Sequence, residues 1–326
     1  MLLSRISRDV IGWLLIAMFL FLFFAVDFTN LASLKDAVPS DWRNVTVMFL
    51  SIFFEAIPFV LMGVFVSACI QTFISEHTIK KLIPKSPVLA IVPAALVGVI
   101  FPMCECVIIP VVRRLMQKGM PLHVGIVILV SAPILNPVVF ASTYFAFRTT
   151  PHIAYYRMGL AFLVAVLIGI VMYVLFKNQQ VLREHEVQDQ AEHLHGGRFK
   201  RTMYHAADEF FDTGKYLLIG AFAASLFQTF FDRETLTHLA SNTALSPLVM
   251  MAFGYVLSLC SEADAFIAAS FNHAFPARSI LAFLVFGPML DFKNTLMLLA
   301  YFKKRFVLSF IFIVIMVVYA VVQIAM

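Results

Sequence analysis

The sequence predicts an all-α, polytopic membrane protein: two inverted repeats, each with a broken or re-entrant helical hairpin, plus an N-terminal transmembrane helix. Three observations lead there. Hydrophobic residues fill 61% of the 326 positions, with 35 Phe and only 13% charged residues, and the mean hydropathy of +0.91 lies outside the range of water-soluble domains. The chain also repeats itself after 157 positions: FFEAIPFVLMGVFVSACIQTF from Phe53 to Phe73 returns as FFDTGKYLLIGAFAASLFQTF from Phe210 to Phe230, with eight identities. Finally, the basic residues beside the apolar segments gather on one side only if one segment in each copy enters and leaves the bilayer on the same face.

A span needs about 20 apolar residues. The candidates are 10–28, 45–74, 87–112, 121–147, 157–177, 209–231, 247–274, 279–302 and 305–326. Arg5 and Arg8 precede the first, and no small-residue cleavage site follows it, so it reads as an uncleaved helix rather than a signal peptide. The organisation is then 1–44, an N-terminal helix and loop; 45–177, the first membrane repeat; 178–207, a cytoplasmic linker; and 208–326, the second repeat. The linker is rich in Glu, Gln, His and Arg. His185, His193 and His195 are imidazoles suited to zinc or copper, but no cysteine or fixed ligand spacing accompanies them, and a solvated linker is the plainer reading. The four cysteines all sit in apolar segments, which argues against an exposed disulfide framework. The net charge of +5 resides beside spans, where it reports orientation and not nucleic-acid binding.

The repeat continues beyond its first 21 residues. Glu105 falls on Glu262 at the same offset, and after a two-residue slip Pro121 falls on Pro276, Pro133 on Pro288 and Asn136 on Asp291. With a cytoplasmic amino terminus and nine full crossings, eleven basic residues fall inside and eleven outside. With 87–112 and 247–274 as re-entrant hairpins the division becomes sixteen to six, counting Arg113 and Arg114 inside and Arg157 outside. The second arrangement obeys the positive-inside rule, and three crossings plus one hairpin per copy turn the second copy upside down. Pro93, Pro102 and Pro110 interrupt the first hairpin by removing donors and clashing with the preceding turn. The second reads LVMMAFGYVLSLC, SEAD, AFIAASFNHAF and has no internal proline. Irregular backbone at membrane depth is tolerated only where protein or a water-filled cavity satisfies it, so the two tips are expected to meet near the midplane and line a site.

Chemistry concentrates at those tips. Cys104 and Cys106 would point to one side of an extended stretch, where two thiolates suit a thiophilic centre such as trivalent arsenic or a soft metal ion. Cys260 aligns with Met103 and would bring a third sulfur from the opposite tip. As a plainer alternative, free cysteine packs as a small buried apolar group. Ionisable residues inside apolar segments cost about 2.5 to 3.5 kcal/mol each at a helix centre. Glu55, Glu105, Asp212, Lys215, Glu262, Asp264, Asp291 and Lys293 are such residues. Glu105 and Glu262 recur in both copies and are candidates for proton coupling, since a low dielectric disfavours the charged carboxylate. Asp264 adds a second acid to its tip. Asp291 and Lys293 follow the Pro288 break and are expected to pair with each other or with acids across the site. Asp212 and Lys215, three residues apart, read as a structural pair.

FPMCECVIIPVVRRLMQKGMP with SAPILNPVVF, and LSLCSEADAFIAASF with FGPMLDFKNTLML, resemble the two signature regions of the predicted permease family that includes YraQ-type proteins and ArsP-type organoarsenical efflux permeases. The resemblance spans nearly the whole chain from about residue 45. It implies a multi-pass permease of the bacterial inner membrane and, for the ArsP branch, export of trivalent organoarsenicals through cysteine coordination. That role falls here on Cys104 and Cys106. The arsenical branch usually has a small hydroxyl residue where this chain has Glu105, a departure that favours a cationic substrate or proton coupling. The expected partners are the lipid bilayer and a small-molecule or metalloid substrate, with no cofactor and no nucleic acid; a protein partner or a second copy is left open. No GxxxxGK[ST] loop or HExxH motif occurs, which argues against an ATP-driven pump and a zinc protease. A channel, a soft-metal transporter, a membrane thiol oxidoreductase and an anchoring subunit remain alternatives.

Overall fold

The computed structural model describes residues 40–73, 75, 84, 86–100, 104–177, 179–183, 198–230, 245–272 and 274–325. Contacts divide the chain into two units, 1–46 and 47–326. Of the first unit the described part is the opening of helix α1 (Ser40–Phe73), where Thr46 Oγ1 donates to the Trp42 carbonyl at 2.9 Å. The expected amino-terminal span 10–28 and the linker histidines His185, His193 and His195 lie outside the described residues.

In the second unit, α1 is followed in the first copy by α2 (Pro87–Ile100), α3 (Glu105–Gln117), α4 (Leu122–Ser131), α5 (Pro137–Ala146) and α6 (His152–Phe176). The second copy comprises α7 (Arg198–Phe230), α8 (Ser246–Leu257), α9 (Ala263–Ser270), α10 (Ala277–Met289), α11 (Phe292–Tyr301) and α12 (Lys304–Ala325). Helix α7 thus starts inside the stretch expected to be linker, because no Pro or Gly lies between Gly197 and the expected start of the second repeat at 208. Among the described residues four helical stretches are long and apolar enough to cross a membrane: Asp41–Phe73, His152–Phe176, Ala277–Tyr301 and Lys304–Ala325.

Helices α2, α3, α8 and α9 have 14, 13, 12 and 8 residues. At 1.5 Å per residue each reaches at most about 21 Å, short of the hydrocarbon thickness of about 30 Å. Both predicted breaks are therefore present, although the second falls at 258–262, slightly before the SEAD run, with Asp264 already in α9. Two segments expected to be full spans, 121–147 and 279–302, are also interrupted, the second close to the break expected at Pro288. In the first, α4 ends at Ser131 and α5 restarts behind Asn136; in the second, α10 ends at Met289 and α11 restarts behind Asp291. Pro133 and Pro288 withhold the N–H groups that continuous helices would need. Asn136 then accepts from Val139 N at 2.8 Å and Asp291 from Asn294 N at 2.6 Å, each satisfying an orphan donor of the new helix.

The packing follows the duplication. In the first copy α4 touches α2, α3 and α6, and α6 also touches α2 and α5; in the second α10 touches α8, α9 and α12, and α12 also touches α8 and α11. Between copies α3 meets α11 while α9 meets α5. Small residues set the equivalent crossings: a Cβ on Gly98 would lie 2.6 Å from Ala132 Cα, and one on Gly254 would lie 3.6 Å from Gly287 Cα. Such backbone-to-backbone approach is how membrane helices gain dispersion energy without a hydrophobic drive between them.

Helices in corresponding places run antiparallel. Thr72 meets Thr202, Ser67 meets Glu209, and Phe49 stacks edge-on with Phe222, so α1 and α7 point in opposite directions. The contact of Phe176 with Phe306 places the end of α6 against the start of α12. Helix α10 is buried from Ser279 to Met289 and forms the centre, whereas α2 exposes Leu89, Val92, Leu96 and Val99 and α12 exposes Leu308, Phe312 and Met316. Those stripes at three- and four-residue spacing are the lipid-facing surface.

Three basic residues counted as loop charges are interior. Arg113 and Arg114 are buried on α3, with the Arg113 guanidinium 4.3 Å from the centre of the Tyr301 ring, and Arg157 on α6 is wholly buried. They report packing, not orientation, and removing them leaves the charge bias pointing the same way.

Candidate functional site

The first tip is built by an N-cap without a capping side chain. Cys104 is extended (φ −74°, ψ 164°), and its carbonyl accepts from Val107 N and Ile108 N at 3.1 and 3.3 Å. Glu105 therefore stands at the first position of α3, where the helix macrodipole favours a carboxylate. The expected extended stretch reaches only Cys104, since Cys106 is helical. The two thiols nonetheless line the same cavity.

The second tip stores backbone strain. Helix α8 closes at Ser258, which is left-handed (φ 50°, ψ 45°), a conformation costing a non-glycine residue about 1–2 kcal/mol. Gln228 of α7 donates to the Leu257 carbonyl at 2.6 Å and holds that end in place. The chain then runs through Leu259 and Cys260 to the turn at Ser261 and Glu262 before α9 begins.

The third wall comes from α11. Lys293 Nζ lies 3.7 Å from Glu105 Oε1 and 3.6 Å from Asp291 Oδ2, with all three side chains almost completely buried. Gly220 lets α7 sit directly on this residue: a Cβ there would be 3.1 Å from Lys293 Cα. Glu105 Oε2 and Asp291 Oδ2 have no hydrogen-bond partner.

These walls enclose one cavity of about 430 Å3, open mouth included, lined by Ile52, Glu55, Ala56 and Phe59 of α1, Cys104, Glu105 and Cys106, Ser258, Leu259, Cys260 and Glu262, and Lys293. Seven of the residues singled out in the sequence, Glu55 among them, thus share a wall. Cys260 Sγ donates to Glu55 Oε1 at 2.6 Å, linking α1 to the second tip. Asp291 stands behind Lys293. Asn136 and Asp264 are not on the cavity wall. Asn136 is buried as the cap of α5, and Asp264 pairs with Arg157 Nη2 at 2.9 Å. The same guanidinium donates to Thr143 Oγ1 at 2.7 Å and to the Ser261 carbonyl at 3.2 Å. Of the proposed pair Asp212 and Lys215, the Asp212 side chain lies outside the described residues.

Chemically the cavity offers thiols, carboxylates and one ammonium. Among the described residues no three His, Cys, Asp or Glu side chains gather closely enough to hold a metal ion as they stand. Residues that sequence reasoning passed over are Arg157, read as a flanking charge, and Glu209, read as the edge of a span. The available signal was an unmatched count: the apolar segments contain more acids than the two lysines noted can neutralise, and buried acids require partners.

Similarity to known proteins agrees with this architecture. The profile of a family described as predicted permease, ArsP_1, matches residues 41–326. UPF0718 protein YcgR of Bacillus subtilis (strain 168) is 48% identical over 284 residues, covering 86% of this chain and 96% of that protein. A Streptococcus mutans serotype c (strain ATCC 700610 / UA159) protein, provisionally named a two-component membrane permease complex subunit, is 36% identical over 283 residues, covering 84% of this chain and 92% of that protein. No solved structure matches the chain. With its apolar helices and matched family, this is a multi-pass protein of the bacterial plasma membrane, and the chain belongs to the ArsP_1 family of predicted permeases.

Proposed function

We propose that the chain is a secondary transporter that exports a small thiophilic or metalloid substrate, such as a trivalent organoarsenical, through the cavity at the two tips. The observation that carries this reading is the convergence of Cys104, Cys106 and Cys260 with Glu55, Glu105, Glu262 and Lys293 on the wall of one cavity. A trivalent organoarsenical bearing two hydroxyls exchanges each As–O bond for an As–S bond and releases one water per thiol consumed. Two thiols suffice for it, and Cys104 and Cys106 supply two on one wall. Glu105 and Glu262 are the proton-coupling acids of this proposal.

Two features support inverted repeats with re-entrant tips. Equivalent helices run antiparallel, as above. In addition, Leu182 bridges to Phe302, Arg183 N donates to Tyr301 O at 3.0 Å and Lys303 N to Val181 O at 2.9 Å. Residues 183 and 301 then share a membrane face, which requires an even number of crossings between them. With α7 and the α10–α11 pair read as two crossings, α8 and α9 together return to the side they left.

The test is transport by purified protein in liposomes. Trivalent organoarsenical should move uphill when a proton gradient is imposed, Cys104→Ser should reduce that flux more than tenfold, and Glu105→Gln or Glu262→Gln should uncouple it from pH. Undiminished flux in Cys104→Ser would remove sulfur coordination, and pH-dependent flux in both Gln variants would remove proton coupling. A second reading follows from the name of the Streptococcus mutans relative: the chain is one subunit of a two-component permease. Flux by the chain alone counts against it.

A further inference from the structure

A second buried polar cluster lies outside the cavity. Ser67 Oγ of α1 donates to Glu209 Oε2 of α7 at 2.8 Å, and Arg114 Nε of α3 faces Glu209 Oε1 at 3.5 Å. The side chains of Arg114 and Glu209 are only 9% and 1% exposed. The cluster ties together the corresponding first helices of the two copies and the helix that begins with Glu105.

Its position is set by the helix rise. Ser67 is twelve residues beyond Glu55 on α1 and Arg114 nine beyond Glu105 on α3, which places the cluster about 14–18 Å from the cavity wall at 1.5 Å per residue. That displacement runs toward the face where α7 emerges from the linker. Between the two sites Val60 and Val64 of α1 pack with Leu217 of α7 and Cys106. An apolar layer capped by a buried ion pair thus separates the cavity from the linker face.

Two details distinguish this cluster from a permanent clamp. The Arg114–Glu209 ion pair, at 3.5 Å, has no hydrogen bond through Arg114 Nε or Glu209 Oε1, while Arg114 Nη1 donates to Gln117 Oε1 of its own helix at 3.2 Å. Moreover, its members sit on three different helices, so relative movement of α1, α3 and α7 parts them without unfolding any one. Buried groups left half-satisfied are costly, and a bistable contact is the place where that cost is recovered in the second state.

We propose that Ser67, Arg114 and Glu209 form the gate that closes the cavity on the linker face, with Val60, Val64 and Leu217 as its dry seal. The gate rests on the transport reading for its purpose, but its geometry is testable without a substrate, because Cys104, Cys106 and Cys260 report access to the cavity. In a Cys69→Ser background, a membrane-impermeant methanethiosulfonate is applied to right-side-out and to inside-out vesicles, and the rate of thiol modification is read by mass. Labelling from the linker face is expected to rise at least tenfold in Glu209→Gln and about threefold in Ser67→Ala. The exchange Arg114→Glu with Glu209→Arg should return it to within about twofold of native. Equal linker-face rates in native protein and Ser67→Ala, the variant least disturbing to the fold, would overturn the gate. So would a native linker-face rate as fast as that from the opposite face. Flat labelling with intact organoarsenical flux removes the gate and leaves the transporter. The expected labelling pattern without flux does the reverse.

Discussion

At the tip of the first copy Lys293 sits between Glu105 and Asp291 at 3.7 and 3.6 Å on a cavity wall, whereas at the tip of the second copy Arg157 grips Asp264 at 2.9 Å away from it. The guanidinium also donates to Thr143 and to the Ser261 carbonyl, so one rigid fork joins α5, α6 and the tip before α9. An ammonium is a point charge on a flexible stem; a guanidinium is a planar set of directed donors. The same need, neutralising an acid inside a membrane protein, is met once by a loose, displaceable charge and once by a fixed staple. The second tip serves both ends: Leu259, Cys260 and Glu262 line the cavity, while Asp264, two residues further on, is held by the staple.

The sharpest way to break this comparison is to remove the staple. Arg157→Leu leaves Asp264 buried and unpaired, for which a loss of about 3–5 kcal/mol is expected. It would be measured as a lowered unfolding midpoint of the detergent-purified protein, and Arg157→Leu with Asp264→Leu should recover most of it. An unchanged midpoint in the single variant would mean that the cluster carries no structural load. Conservative exchanges come next. Arg157→Lys forfeits directed bonds and should cost about 2 kcal/mol, while Lys293→Arg, whose head faces the cavity, should cost under about 1 kcal/mol and instead change flux. Equal losses in the two variants would erase the distinction between staple and displaceable charge.

The smallest expected effects separate the two helix caps. Asn136→Ala and Asp291→Ala each remove an N-cap acceptor worth about 1 kcal/mol. Only Asp291→Ala also takes away one of the two acids holding Lys293, so only that variant is expected to alter flux in liposomes. A change of flux in Asn136→Ala would place this cap closer to the transport route than its buried position suggests.

Much of the site was legible because membrane chemistry is severe. A carboxylate or lysine within an apolar run has few acceptable surroundings, so Glu105, Glu262, Asp291 and Lys293 identified themselves, and recurrence of Glu105 at Glu262 marked the tips as corresponding places. The prolines of 87–112 were a poor guide: Pro93 and Pro110 sit inside α2 and α3 without ending them, Pro102 lies outside the described residues, and the described mark of the break is the extended Cys104 before α3. The interruptions at 132–136 and 290–291 were harder to see: Pro133 and Pro288 were noticed, but whether a proline kinks a helix or ends it depends on the cap available next, and Asn136 and Asp291 decide that through bonds to backbone groups three residues on. Arg157 and Glu209 were overlooked because each stands at the start of a predicted span, where a charge ordinarily meets water.

From the amino-acid order alone came the solvent, the duplication, the helical class and the residues able to do chemistry, since composition and repetition are properties of the chain itself. Which acid faces the cavity and which is clamped was settled only in three dimensions. Glu105 and Lys293 are 188 positions apart and Arg157 and Asp264 are 107 apart. No local pattern specifies such pairings; they are chosen by how helices from the two copies cross, and hence by which side chains that packing leaves beside one another.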